Sequence, residues 1–187
     1  MPGNAPPVSS ELDGLLTYLR QQRDGLVNAA YGLTEDQLRL IPTKSALSVG
    51  GLLKHAAATE LSWVDVLAGR EQPGEDAYLD TFRVGEDDTL ASLTAGVAAA
   101  GRATEAAVAA ASGPDAPVTL PAAPWLPTGD GYTVRWVLLH IFEELSRHAG
   151  HADIIREHVD GATMYELMAG AEGWPETDWL TPWRPPG

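Results

Sequence analysis

The chain has 187 residues, 12 of them basic and 26 acidic, a formal net charge of -14 and no cysteine. That length suffices for one domain with a real core, while the charge repels a nucleic-acid backbone or an anionic bilayer at long range. Without cysteine there are no disulfides, no thiolate metal sites and no thiol nucleophile borne by the protein. Apolar residues make up 44% of the sequence and are weighted to Ala and Leu rather than to β-branched and aromatic types, so the predicted class is all-α.

Met1 to Ser10 lacks a basic-then-apolar pattern and later apolar stretches are interrupted by charge, so no membrane segment is expected and the predicted location is the cytoplasm. The first helix is expected to start near Ser9 or Ser10, with Leu12, Leu15, Leu16, Leu19, Leu26 and Ala30 forming one apolar stripe. Arg23 interrupts that stripe. Its expected arrangement is a packed stem with the head snorkelled to water, the functional alternative being an anion contact at the inner edge of the bundle. Gly32 ends the helix, and Thr34-Glu-Asp-Gln37 has capping-box spacing for a short helix to about Leu40, before Pro42.

A second long helix from about Ser48 to Leu67 is predicted by Val49, Leu52, Leu53, Ala56, Ala57, Leu61 and Val64, and it contains His55. Gly69 to Gly85 reads as a long irregular crossover. Asp87 or Asp88 is the expected cap of a third helix running to Ala111, and Ser112 to Gly131, with five prolines, is irregular and a candidate lid. Thr133 caps a last helix of about 27 residues, roughly 40 Å long, with Gly161 as its end signal. Thr163 to Ala169 offers a further turn or two, and the Trp- and Pro-rich tail from Trp174 an extended strap. The expectation is one domain over 1–187: a four-helix bundle over about 9–161 with long crossover connections, then the strap over 162–187.

The last helix carries the chemistry. His140, Glu144, His148 and His151 fall within an arc of about 80° at 100° per residue, so they share one face. Leu139, Ile141, Ile154 and Ile155 lie among them, which makes the helix partly buried and raises the cost of unpaired ionisable groups. A cation would relieve that cost, and Glu144 with His148, one turn apart, suits a borderline divalent metal such as zinc. A third ligand must come from another helix. Of the five histidines only His55 lies outside this one, whereas His158 sits at the helix end, where the dipole favours it. Neither a lone core histidine nor a lone Glu-x-x-x-His pair carries weight alone.

Four segments resemble the DinB-like superfamily, and more closely its mycothiol-dependent transferase and maleylpyruvate isomerase branch: Ser45 to His55, Trp136 to Glu144, Arg147 to Glu157, and Asp160 to Thr163. The resemblance implies a four-helix bundle with a metal held by one residue of the second helix and two, four apart, of the last. Carried over, the ligands are His55, Glu144 and His148. Glu144 stands where many DinB proteins have histidine, and His151 where glutamine is frequent. That leaves His151 open as a partner behind the ligands, a fourth ligand or a substrate contact, and His140 as a core residue or a partner behind the ligands.

Three protein ligands leave an open coordination position, as in catalytic sites. With no cysteine in the chain, any thiol must come from outside, and the resemblance implies mycothiol. The expected activity is a metal-dependent thiol S-transferase, or thiol-assisted isomerase, acting on a small electrophile. Arg23, Arg147 and Arg156 are candidates for holding carboxylates of thiol or substrate, and His151 or Glu143 for a base. A metal-dependent hydrolase and a non-catalytic metal-binding protein are the alternatives. Expected partners are the thiol and a small molecule, with neither nucleic acid nor membrane; a homodimer is one open assembly.

Overall fold

Each long helix begins on a hydroxyl. In the computed structural model, which describes residues 3–70, 75–122, 126 and 129–185, Ser10, Ser48, Thr89 and Thr133 each accept the N–H three residues on, satisfying an orphan donor of the first turn. The helices they start are α1 (Glu11–Ala29), α3 (Val49–Leu67), α5 (Leu90–Ala110) and α6 (Val134–Asp160). Shorter helices are α2 (Glu35–Leu38), α4 (Glu75–Asp80) and α7 (Met164–Glu172). The described residues include no strand, only two isolated bridges, and no described helix is long and apolar enough to cross a membrane.

Side-chain pairs give the direction of each helix. Glu11 meets Arg135, Tyr18 meets Phe142, and the Arg156 guanidinium meets the Ala29 carbonyl, so α1 and α6 run parallel. His55 lies against His148 and Trp63 against His140, so α3 is antiparallel to α6. Arg20 pairs with Glu105 while Arg23 passes Gly101, so α5 is antiparallel to α1. It follows that α3 and α5 are parallel, and the chain between them must travel back along a helix of 19 residues, roughly 28 Å. That return carries α4 over the face of α3 that bears His55.

The core is built from Leu19, Leu26, Leu52, Leu53, Leu138, Ile141, Leu145 and Ile155, all buried between the long helices. Three expected inward positions instead face out: Leu61 is 42% exposed, Leu139 48% and Ile154 52%. The inner face of α3 uses Thr59, Glu60 and Trp63 in place of Leu61. The expectation of Asp87 or Asp88 as the α5 cap is also corrected. Thr89 caps α5 through a capping box with Ser92, while Asp88 accepts from the Gly85 N–H and pairs with Lys54 at 2.9 Å.

Arg23 does not snorkel. Its head is buried, and Nε lies 3.1 and 3.0 Å from the two carboxylate oxygens of the equally buried Glu60, which also accepts from Thr104 at 2.7 Å. α6 ends as expected, on Gly161 at φ 80, the left-handed conformation that glycine adopts without strain. Beyond it α7 is longer than expected, and the tail folds back so that the Trp183 N–H donates to the Glu166 carbonyl. Trp183 lies 4.7 Å from the Arg156 guanidinium.

Candidate metal centre

His55 is fully buried, Glu144 half-buried and His148 buried, and each offers one ligand atom within 4.8 Å of the others. Helix geometry accounts for the meeting. Glu144 and His148 are one turn apart on α6, with His148 Nε2 3.5 Å from Glu144 Oε2. The antiparallel α3 brings the His55 ring edge-on to the His148 ring, centroids 4.7 Å apart. Among the described residues this is the group of histidines and acids arranged to hold a metal ion.

The environment leaves two of these groups in forms that could bind a cation. Burial, reinforced by the neighbouring His148 and opposed by Glu144, pushes His55 down to about 4 and so keeps its ring neutral. A hydrogen bond from His148 outweighs burial at Glu144 and holds its carboxyl below the ordinary value, hence ionised. A neutral imidazole and a carboxylate are the forms that bind a cation, and two imidazoles with one carboxylate fit a zinc-like ion.

The crossover covers the site, and it contains a helix where the sequence predicts an irregular connection. α4 and the turn after it place Tyr78, Thr81 and Phe82 over His55. Phe82 stacks on the imidazole at 3.8 Å with planes 16° apart, and Tyr78 meets it edge-on at 5.3 Å. Thr81 Oγ1 lies 2.8 Å from His55 Nδ1, and Thr59 Oγ1 lies 3.2 Å from Nε2. Gly51, one turn before His55, makes room for this cover, because a Cβ there would sit 2.2 Å from the Phe82 carbonyl oxygen. Burial, with Glu144 adding to it, pushes the Tyr78 phenol up, so it retains its proton. The available sequence signal was Glu75-Asp76, an acidic first turn, followed by the i,i+4 pair Tyr78 and Phe82; Pro73-Gly74 before it obscured that signal.

The remaining candidates divide by position. His151 is exposed, with Nδ1 3.4 Å from His148 Nδ1, and is not one of the three groups whose ligand atoms converge. Partial burial, His148 and Arg147 hold it below its ordinary value. His140 stacks on Trp136 at 5.2 Å and meets Trp63 edge-on. Glu143 and Arg147 are exposed and pair with each other at 3.2 Å, near the triad in sequence but turned outward. Arg23 and Arg156 lie elsewhere. The Arg156 head is fully buried and donates to Asp160 and to the Ala29 and Tyr31 carbonyls, closing the end of α1. His158 Nδ1 lies 2.8 Å from the Ile154 carbonyl, within the last turns of α6. The described part of 112–131 returns to α6 at its first turn, where Val134 N–H donates to the Ala116 carbonyl. That is roughly 20 Å along the helix from His148, so the crossover, not this segment, covers the triad; residues 123–125, 127 and 128 of the proposed lid lie outside the described residues.

A family model described as Mycothiol-S-transferase matches residues 14–161, from α1 to the end of α6, a span that includes all three triad residues. No curated protein matches the chain.

Proposed function

The chain belongs to the mycothiol S-transferase family, and from that premise we propose that it binds one divalent metal ion, zinc by preference, on His55, Glu144 and His148 and joins mycothiol to a small electrophile. The observation that carries the reading is the convergence of these three groups, one of them fully buried, from two helices. The ion would supply Lewis acidity, lowering the pKa of a thiol brought to the open side of the site. In the reaction the thiol S–H gives up its proton, the sulfur lone pair forms a C–S bond to the electrophilic carbon, and the leaving group departs with its electron pair.

The chain's own groups handle the proton and the orientation. His151 is the better placed of the two base candidates, because partial burial, His148 and Arg147 hold its ring below the ordinary value and it adjoins His148, whereas Glu143 is engaged by Arg147. Of the three arginine candidates Arg147 alone is exposed, and its surface pair with Glu143 is one it could exchange for a carboxylate of the thiol or substrate. Tyr78, with its proton retained, is a hydrogen-bond donor at the mouth of the site.

Incubation of the zinc-loaded protein with mycothiol and a chlorinated aromatic electrophile tests this reading. Conjugate formation that requires both metal and thiol is expected, and is lost in His55→Ala and His148→Ala. Thiol-independent hydrolysis would move the protein to a metal-hydroxide hydrolase. Tight metal retention without turnover would make it a binding protein.

A further inference from the structure

We propose that Thr81, in the turn after α4, is a positioning residue that fixes His55 as its Nδ1–H tautomer and thereby presents Nε2 to the metal. The inference rests on the triad reading above and adds a residue from outside the bundle helices to it. A threonine hydroxyl has one proton to donate. The Thr81 proton is spent on the Tyr78 carbonyl, 2.6 Å away. At 2.8 Å from His55 Nδ1, Thr81 Oγ1 therefore has only a lone pair to offer, and Nδ1 must carry the hydrogen. A neutral imidazole has one N–H, so Nε2 is left bare. The ring is held in this orientation by Phe82 stacked against one face and by near-perpendicular contacts with the rings of Tyr78 and His148. A metal-bound histidine commonly donates its other N–H to a fixed acceptor, which sets the tautomer and raises the basicity of the ligating nitrogen.

Thr59 supplies an internal contrast. It sits one turn after His55 on α3, and its hydroxyl lies 3.2 Å from Nε2, the nitrogen that Thr81 leaves bare. Its bond to Nε2 competes with coordination, whereas the Thr81 bond to Nδ1 supports it. The same residue type thus has opposite expected effects on the two sides of one ring. The arrangement also gives the crossover a role: the parallel run of α3 and α5 forces the chain past this face, and Gly51 lets the segment bearing Thr81 approach.

The test compares the natural protein with Thr81→Ser, Thr81→Val and Thr59→Val. One readout is the ring-nitrogen NMR spectrum of His55 in metal-free protein near neutral pH; the other is zinc affinity by chelator competition. The natural protein and Thr81→Ser are expected to show the Nδ1–H tautomer. Thr81→Val should show a mixture and lose about 10- to 100-fold in zinc affinity, with helical content unchanged. Thr59→Val should keep the tautomer and bind zinc at least as tightly as the natural protein. An Nε2–H tautomer in the natural protein, or full zinc affinity in Thr81→Val, overturns the proposal. If the natural protein binds no zinc, the triad reading falls by itself, and the metal-free spectra of the natural protein and Thr81→Ser still decide whether Thr81 sets the tautomer.

Discussion

Two of the buried polar clusters among the described residues draw on α3, and they have opposite characters. Five residues after His55, Glu60 meets Arg23 and Thr104 in a cluster whose charges cancel and whose carboxylate accepts from both neighbours. The His55, Glu144 and His148 cluster joins a carboxylate to two imidazoles and directs ligand atoms at a common point. The first is closed by the protein itself. The second is not balanced in charge: burial keeps the His55 imidazole neutral beside an ionised Glu144, and a cation is the kind of group that would offset that carboxylate. Burial of polar side chains therefore does not by itself mark a site in this fold; convergence of ligand-type atoms without a protein cation beside them does.

The largest expected effect is on the closed cluster. Arg23→Ala strands the Glu60 carboxylate in the core and should cost about 3–5 kcal/mol of unfolding free energy, whereas a joint Arg23→Met, Glu60→Leu replacement should recover most of it. Urea denaturation of both variants gives the numbers, and zinc affinity should not change. Loss of zinc with stability intact would place Arg23 in the site and erase the contrast. Next comes the ion itself: at a free zinc concentration of 1,000 times Kd the natural protein should gain about 4 kcal/mol. His55→Ala, Glu144→Ala and His148→Ala should gain almost nothing in the same thermal melts, and an equal gain in all four proteins would refute the triad. Gly51→Ala is intermediate. The added methyl meets the Phe82 backbone and should cost about 1–3 kcal/mol, together with weaker zinc retention; a neutral result would mean that the crossover yields without cost.

Much of this was legible in the sequence, for reasons specific to each element. α6 was readable at both ends because Thr133 and Gly161 are strong local signals, and its ionisable face because a spacing of four repeats on one side of a helix. The pairing of His55 with that face came from family resemblance, since no local rule says which helices will be neighbours. Arg23 was misread because its partner is remote: a charge on an apolar stripe looks alike whether it reaches water or a buried Glu60. α4 was missed because it is short and follows Pro73-Gly74; its covering position arises from the parallel run of α3 and α5, a property of the whole bundle. Leu61, Leu139 and Ile154 show the same limit, as helical periodicity fixes spacing but not which side is covered.

Asp153 on α6, partly buried, is a third case: among the described residues no side chain pairs with it, and it is not in the metal-binding group. Burial, with Glu157 adding repulsion, pushes its carboxyl up to about 6, and no cation offsets the shift. Because the folded value lies above the unfolded one, its contribution to stability is fully present below about pH 4 and is lost as pH rises through about 6. Asp153→Asn should therefore stabilise the protein at pH 7.5 and leave it unchanged at pH 4. Solvent screening of a half-exposed group reduces the effect to about 1 kcal/mol. Urea midpoints of the metal-free natural protein and variant, taken across that range, give the difference directly. A gain that is the same at both pH values would trace it to packing or helix propensity, and Asp153 would then not be a charge held at the edge of the core at the protein's expense.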